Sequence, residues 1–384
     1  MLMIPRIIHS IVVCLALLVL PYVAVSCGGD EPSSSGNGEA TLLMNIEPLG
    51  QSRAGASGLL SNEKMRSVRV IVLHADGTVE HNRPFTLEGA QAQKRILLKV
   101  TPGEKKKIFL FANEESVASV EGVSDENLSL TDFFDGFSDG DAGLESAVNA
   151  LYYAPDFTED KPIPMSSEYE IDFPSKGNFD GTFYVVRVAT KFTVNFRNMR
   201  GEDVTVESFS IASHADKNYL MAHVGNSEQN LKLFNGKTWI EWLKEVSEAS
   251  SENDDYSVTE AAGWLKDYEL PSQADKTKTY THEQPINVGK GDLQTSKPGE
   301  ASACFYLPES KNLKAGAADG EQEYTMTVAV GGVADPFVFA LPNLKSLFRN
   351  THVIVNISFN KDTSITAVIF VRPWNVVSHP TIII

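Results

Sequence analysis

Apolar and polar residues alternate with period two along most of the chain. Thr41 to Ile46 sets Leu42, Met44 and Ile46 on one face, and Ser67 to His74 alternates Val68, Val70 and Val72 with Arg69 and Ile71. Between 75 and 78 the Asp-Gly pair predicts a tight hairpin turn. The alternation resumes at 95–100, 107–112, 181–196 and 204–212, then at 301–307, 323–330, 336–339, 353–359 and 364–371. This pattern predicts an all-β chain with an antiparallel core.

Helical spacing is rarer. Residues 128–135 and 142–153 have caps and a 3.6 period, and 237–246 reads as amphipathic. The last lies in polar surroundings, which predicts a partly helical insertion over 225–285. The strands fall into two modules, 40–180 and 181–384, with the glycine pair of 177–181 as the expected hinge.

The N-terminus sets the compartment. Arg6 precedes an apolar run over 11–20 and a small-residue stretch leading to Cys27, so 1–26 reads as a signal peptide. Ala24 and the residues around it resemble a lipobox, which makes Cys27 the lipidated residue and 27–39 a flexible tether. The alternative is an ordinary signal peptide with an incidental cysteine. Asp30 and Glu31 resemble the surface-export signal of Bacteroidetes lipoproteins, pointing to the outside of the outer membrane. Of three cysteines, Cys14 leaves with the signal and Cys27 carries lipid, so Cys304 has no disulfide partner. Loss of Arg6 takes the net charge from −17 to −18, a surface that repels nucleic acid.

No catalytic motif stands out. Nucleophile elbow, zincin helix, P-loop and dinucleotide fingerprint are missing from the sequence, and the eight histidines are scattered without metal-ligand spacing. The expectation is a non-enzymatic protein without cofactor or metal. The acids of 135–145 suggest a calcium loop only faintly, a solvated turn being the better reading. Cys304 reads as a small buried hydrophobe. Trp239 and Trp242 read as a helix packing face, with a sugar-stacking platform as the alternative.

Several strings together resemble the fimbrillins of Bacteroidales: 65–77, 102–113, 163–165, 186–194 and 347–352, in order over residues 27–374. The resemblance implies two tandem transthyretin-like β-sandwich domains and a lipoprotein precursor assembled by strand exchange. It implies Cys27 as the lipidated residue, 40–48 as a strand that is removed, and an arginine-specific protease that cuts between Arg53 and Ala54. The partners it implies are other fimbrial subunits, and the outer membrane before processing.

Arg53 lies in a Gly-, Ser- and Ala-rich stretch of the kind proteases cut. Loss of Leu42, Met44 and Ile46 would open an apolar groove. The expected donor segment is 364–384, with Ile365, Ala367, Ile369 and Val371 before the bend at Pro373, and Trp374, Ile382, Ile383 and Ile384 after it. Alternatively the three isoleucines pack in their own subunit. An uncut Arg53 would make the chain a lipid-retaining anchor, and a glycan-binding surface lipoprotein is the reading from another class.

Overall fold

The computed structural model describes residues 40–50, 59–124, 127–158, 161–222, 277–295, 297–311, 324–341 and 346–374. In chain order these form β1 (Ala40–Pro48), β2 (Met65–Leu73), β3 (Val79–Gln91), β4 (Lys94–Val100), β5 (Lys105–Ala112), helices α1 (Leu130–Asp135) and α2 (Leu144–Ala150), β6 (Tyr152–Tyr153), β7 (Met165–Asp172) and β8 (Gly177–Arg187). There follow β9 (Thr190–Asn198), β10 (Val204–Ala215), β11 (Asn218–Tyr219), β12 (Thr277–His282), β13 (Ile286–Val288), β14 (Gly299–Leu307), β15 (Ser310–Lys311), β16 (Tyr324–Val330), β17 (Phe337–Leu341), β18 (Ser346–Leu347), β19 (Thr351–Phe359) and β20 (Ile365–Pro373).

The strands make two sandwiches of one topology. In the first, β1 lies between β4 and β8, while β3, β2, β5 and β7 form the facing layer. In the second, β9 lies between β14 and β19, facing β12, β10, β16 and β17. The first strand of each therefore pairs antiparallel with one neighbour and parallel with a late strand, β1 with β4 and β8, β9 with β14 and β19. Those two parallel pairs depart from the expected antiparallel pattern; the other described pairs are antiparallel. β20 is an addition, paired outside β19.

Alternation explains the cores. The inward residues of β1 pack with Val68, Val70, Ile108, Leu110 and Val185, and those of β9 with Val206, Met326, Val355 and Ile357. β2 and β5 are buried on both faces, because Ile71, Phe109 and Phe111 sit under the residues of α1 and α2, Phe134 and Val148 among them. Ser129 caps α1 by accepting from the Asp132 amide at 3.1 Å. β3, absent from the sequence expectation, is an end strand of its layer and so tolerates Pro84.

Two expectations are corrected. Gly177 to Gly181 is no hinge: it is the first half of β8, where Gly177 pairs with Ala40 and Gly181 with Met44. A side chain at Gly181 would press on the Phe179 ring at 3.1 Å, so glycine there leaves room for the rings of Phe179 and Phe183. The single strand expected over 181–196 is two, and the chain passes between sandwiches at Val188 and Ala189, both fully buried. Of the expected insertion, 225–276 including Trp239 and Trp242 lies outside the described residues, and 277–282 is β12, paired with β10.

Candidate functional site

β1 is a middle strand whose inner face is wholly apolar. Ala40, Leu42, Met44 and Ile46 are each 0% exposed. Leu42 stands between Leu98 and Phe179, Met44 between Ile96 and Gly181, and Ile46 between Lys94 and Phe183. The strand thus fills a groove with backbone pairing on both banks. Cys27, Arg53 and Ala54 lie outside the described residues.

At its C-terminal end β1 runs into a buried polar junction between the sandwiches. The Leu49 amide donates to the Val185 carbonyl at 2.9 Å. The Leu49 carbonyl accepts from Arg187 Nη1 at 3.1 Å, and the same nitrogen reaches Asn350 Oδ1 at 3.2 Å. Arg187 Nε donates to the Glu63 carbonyl at 3.1 Å. Arg187 therefore holds both sides of the interval 51–58, in which Arg53 lies. Its guanidinium is fully buried, which lowers its pKa to about 10 even though Glu63 and then Tyr306 pull the other way.

The last described residue joins the same junction. Trp374 is 1% exposed, stacks on Tyr306 at 5.5 Å and lies 5.1 Å from the Arg187 guanidinium. Its amide donates to the Asn350 carbonyl at 3.0 Å. Glu63, also buried, takes Lys191 Nζ at 2.6 Å and the Tyr306 hydroxyl at 2.8 Å. The chain beyond β20 therefore departs beside the end of β1.

The first part of the expected donor segment is paired within this chain. Ile365 to Pro373 is paired with Thr351 to Phe359 in this chain's own sheet, and Ile365 and Ile369 pack against the second core. Ala367 shares their half-buried face, while of Val371 only its backbone pairing with Val353 is described. The alternation that suits a donor strand serves equally well at home. Ile382, Ile383 and Ile384 lie outside the described residues.

The remaining candidates resolve simply. Asp135 is bound to Arg69 at 2.8 Å, Asp139 to Arg83 at 2.5 Å, and Glu145 to Lys107, so these acids of the suspected calcium loop face cations of the protein. Cys304 is exposed rather than buried, because β14 turns Ala303 and Phe305 to the core and its thiol outward. Sequence reasoning missed Arg187 and Asn350 altogether. It also missed a cluster of His74, Glu80, Glu104 and Lys106 at the end of the first sandwich, whose one sequence signal is a lysine at 106 in phase with Ile108 and Leu110.

No protein-family model matches the chain, and no curated protein matches it in sequence. Its structure is similar to that of the tip fimbrial protein Mfa3 from Porphyromonas gingivalis with a C-terminal truncation, at 12% identity, over 88% of this chain and 100% of that one, with a TM-score of 0.48. It is also similar to a candidate cell adhesion protein from Parabacteroides distasonis ATCC 8503, at 15% identity over 88% and 98% of the two chains and a TM-score of 0.49. A fimbrial assembly protein from the same organism follows at 12% identity, 86% and 94% coverage and a TM-score of 0.40.

Proposed function

We propose that this protein is a structural, non-enzymatic subunit of a cell-surface fimbria serving adhesion and biofilm formation. It is made as a lipoprotein precursor anchored through Cys27. An arginine-specific protease cuts between Arg53 and Ala54, β1 leaves, and the groove between β4 and β8 takes a strand from a neighbouring subunit. The donor in this reading is 375–384, since the part up to Trp374 is engaged in its own sheet.

The observation that carries the reading is the placement of β1. A first strand with a fully buried apolar face sits in mid-sheet, and its end and the chain after 58 are clamped by one arginine. Burial of Leu42, Met44 and Ile46 is worth about 5 to 8 kcal/mol gross at roughly 1.5 to 3 each, so only an apolar, extended replacement restores it. Pairing of such a strand with both banks is β-augmentation.

The test is the N-terminus and intact mass of the protein from the surface of its own cells. A lipid-free chain starting at Ala54, lost in Arg53→Ala, is the expected result. A diacylated chain starting at Cys27 would overturn the processing step and leave a lipid-retaining anchor.

A further inference from the structure

Lys106 is a lysine where an apolar side chain belongs. β5 points Ile108 and Leu110 into the first core, and Lys106, in the same phase, is 0% exposed. Opposite it the ladder between β2 and β3 slips: Val72 pairs with His81 and Leu73 with Val79, leaving Glu80 as the extra residue of a bulge. Bulges re-aim side chains, and this one carries a carboxyl group that is 8% exposed to within 2.6 Å of Lys106 Nζ.

The contact is close but is not aligned as a hydrogen bond, and Glu80 Oε2 has no hydrogen-bond partner. The other oxygen, Oε1, accepts from the Thr101 amide. Glu104 Oε1 accepts from Lys106 Nζ, and His74 Nδ1 lies 2.6 Å from Glu104 Oε1 and 3.3 Å from Nζ. His74, Glu80 and Glu104 are close enough to share a metal ion, but the ammonium of Lys106 occupies that position.

We propose that Lys106 and Glu80 form an intramolecular isopeptide bond. The parts for it converge here: an amine, a carboxyl carbon, a backbone N–H on the oxygen where negative charge develops, and a second carboxylate to carry protons. Glu104 takes a proton from the Lys106 ammonium, and the free amine attacks Cδ of Glu80. The Thr101 amide holds the charge on Oε1. Glu104 returns the proton to Oε2, a second nitrogen proton follows by the same route, and Oε2 leaves as water. Of the three ammonium hydrogens one stays on the amide and two leave in the water, so no other reactant is needed.

Glu104 suits the carrier's part. Although partial burial pushes its carboxyl up, hydrogen bonds from Lys106 and His74 hold it below the ordinary carboxylate value, so it is ionised and ready to accept. Fixing the two reactants in one cleft replaces the concentration that free amines and acids lack. The product ties β3, an end strand of its layer, to β5 across the end of β2.

Proteolytic digestion of the full chain followed by mass spectrometry tests the bond. The expected result is a branched peptide joining the segments around Glu80 and Lys106, lighter than their sum by one water, and missing from Lys106→Arg. In Glu104→Gln most of the protein should give the two linear peptides. Linear peptides at full mass from the native chain would overturn the proposal, and would leave the strand-exchange reading untouched. A native-like yield of branched peptide from Glu104→Gln would overturn the carrier role alone.

Discussion

Arg187 donates from Nη1 to the carbonyl oxygen of Leu49 at 3.1 Å, so an arginine at the end of β8 holds the end of β1. Its Nε takes the Glu63 carbonyl, and its remaining nitrogen, Nη2, is buried without a hydrogen-bond partner. Replacement by alanine takes the arginine donor from two buried carbonyl oxygens, leaves that of Leu49 with only the long 3.5 Å contact from Asn350 Nδ2, and removes the group facing Trp374. The expected loss is about 3 to 5 kcal/mol for the uncut chain, read as a drop in urea midpoint. Arg187→Lys should recover less than half, because one ammonium cannot reach both carbonyls in the same geometry. A midpoint unchanged in Arg187→Ala would remove the clamp from this account.

A cut at Arg53 alone should not release β1. Its backbone pairs with β4 along seven registered positions and with β8 along nine, and its inner face is dry. Native mass spectrometry of the nicked, lipid-free protein should therefore find the N-terminal fragment still bound. Added peptide covering 375–384 should speed its departure, and Arg187→Ala should speed it further by removing the arginine's bond to the Leu49 carbonyl. Loss of the fragment on cutting, with no donor present, would contradict this.

The strands that present a plain alternation were legible in sequence. β1 and β9 each turn every second residue inward, so their faces read directly. β3 hides because it is an end strand, where proline and charge are admitted and no period survives. The first half of β8 reads as a loop because its glycines signal turns, yet Gly181 serves the rings of Phe179 and Phe183. The junction is illegible for a different reason: Arg187 meets Leu49 and Asn350 across 138 and 163 residues of chain, and no local pattern encodes such a meeting. The Lys106 cluster needed a bulge, which a two-residue period cannot announce.

Stability should fall as solutions become mildly acidic, through His214. This residue is buried in β10 with Nδ1 2.7 Å from the Ala215 carbonyl. Burial holds the imidazole below its ordinary value, with Lys278 adding to the effect and the Ala215 carbonyl and Asp216 opposing it. Between the folded value and the unfolded one, about 6.5, the unfolded chain binds the extra proton, so stability rises with pH. The contribution is complete above the unfolded value and is lost as pH falls toward the folded one. The slope from one such group cannot exceed about 1.4 kcal/mol per pH unit. Urea midpoints measured from about pH 7.5 to about pH 5 should fall more steeply in the native chain than in His214→Gln; parallel curves would assign the acid sensitivity elsewhere.

Truncation separates the part of the C-terminal segment that builds this subunit from the part left to reach another. β20 pairs with the whole of β19, and its Ile365 and Ile369 cover the second core, so a chain ending at residue 363 uncovers an apolar flank and a full strand edge. It also loses Trp374 from the junction, where the ring is stacked on Tyr306 and bonded through its amide to Asn350. That truncation should destabilise by at least the about 3 to 5 kcal/mol typical of removing one large buried aromatic, and should aggregate through the exposed edge. A chain ending at Trp374 keeps every one of these contacts. It should unfold at the same urea midpoint as the full chain, within error, and yet form no ladder after cleavage by an arginine-specific protease. A ladder from the chain ending at Trp374 would show that 375–384 is dispensable for polymerisation and would return the donor role to β20, which would then have to leave β19 to perform it.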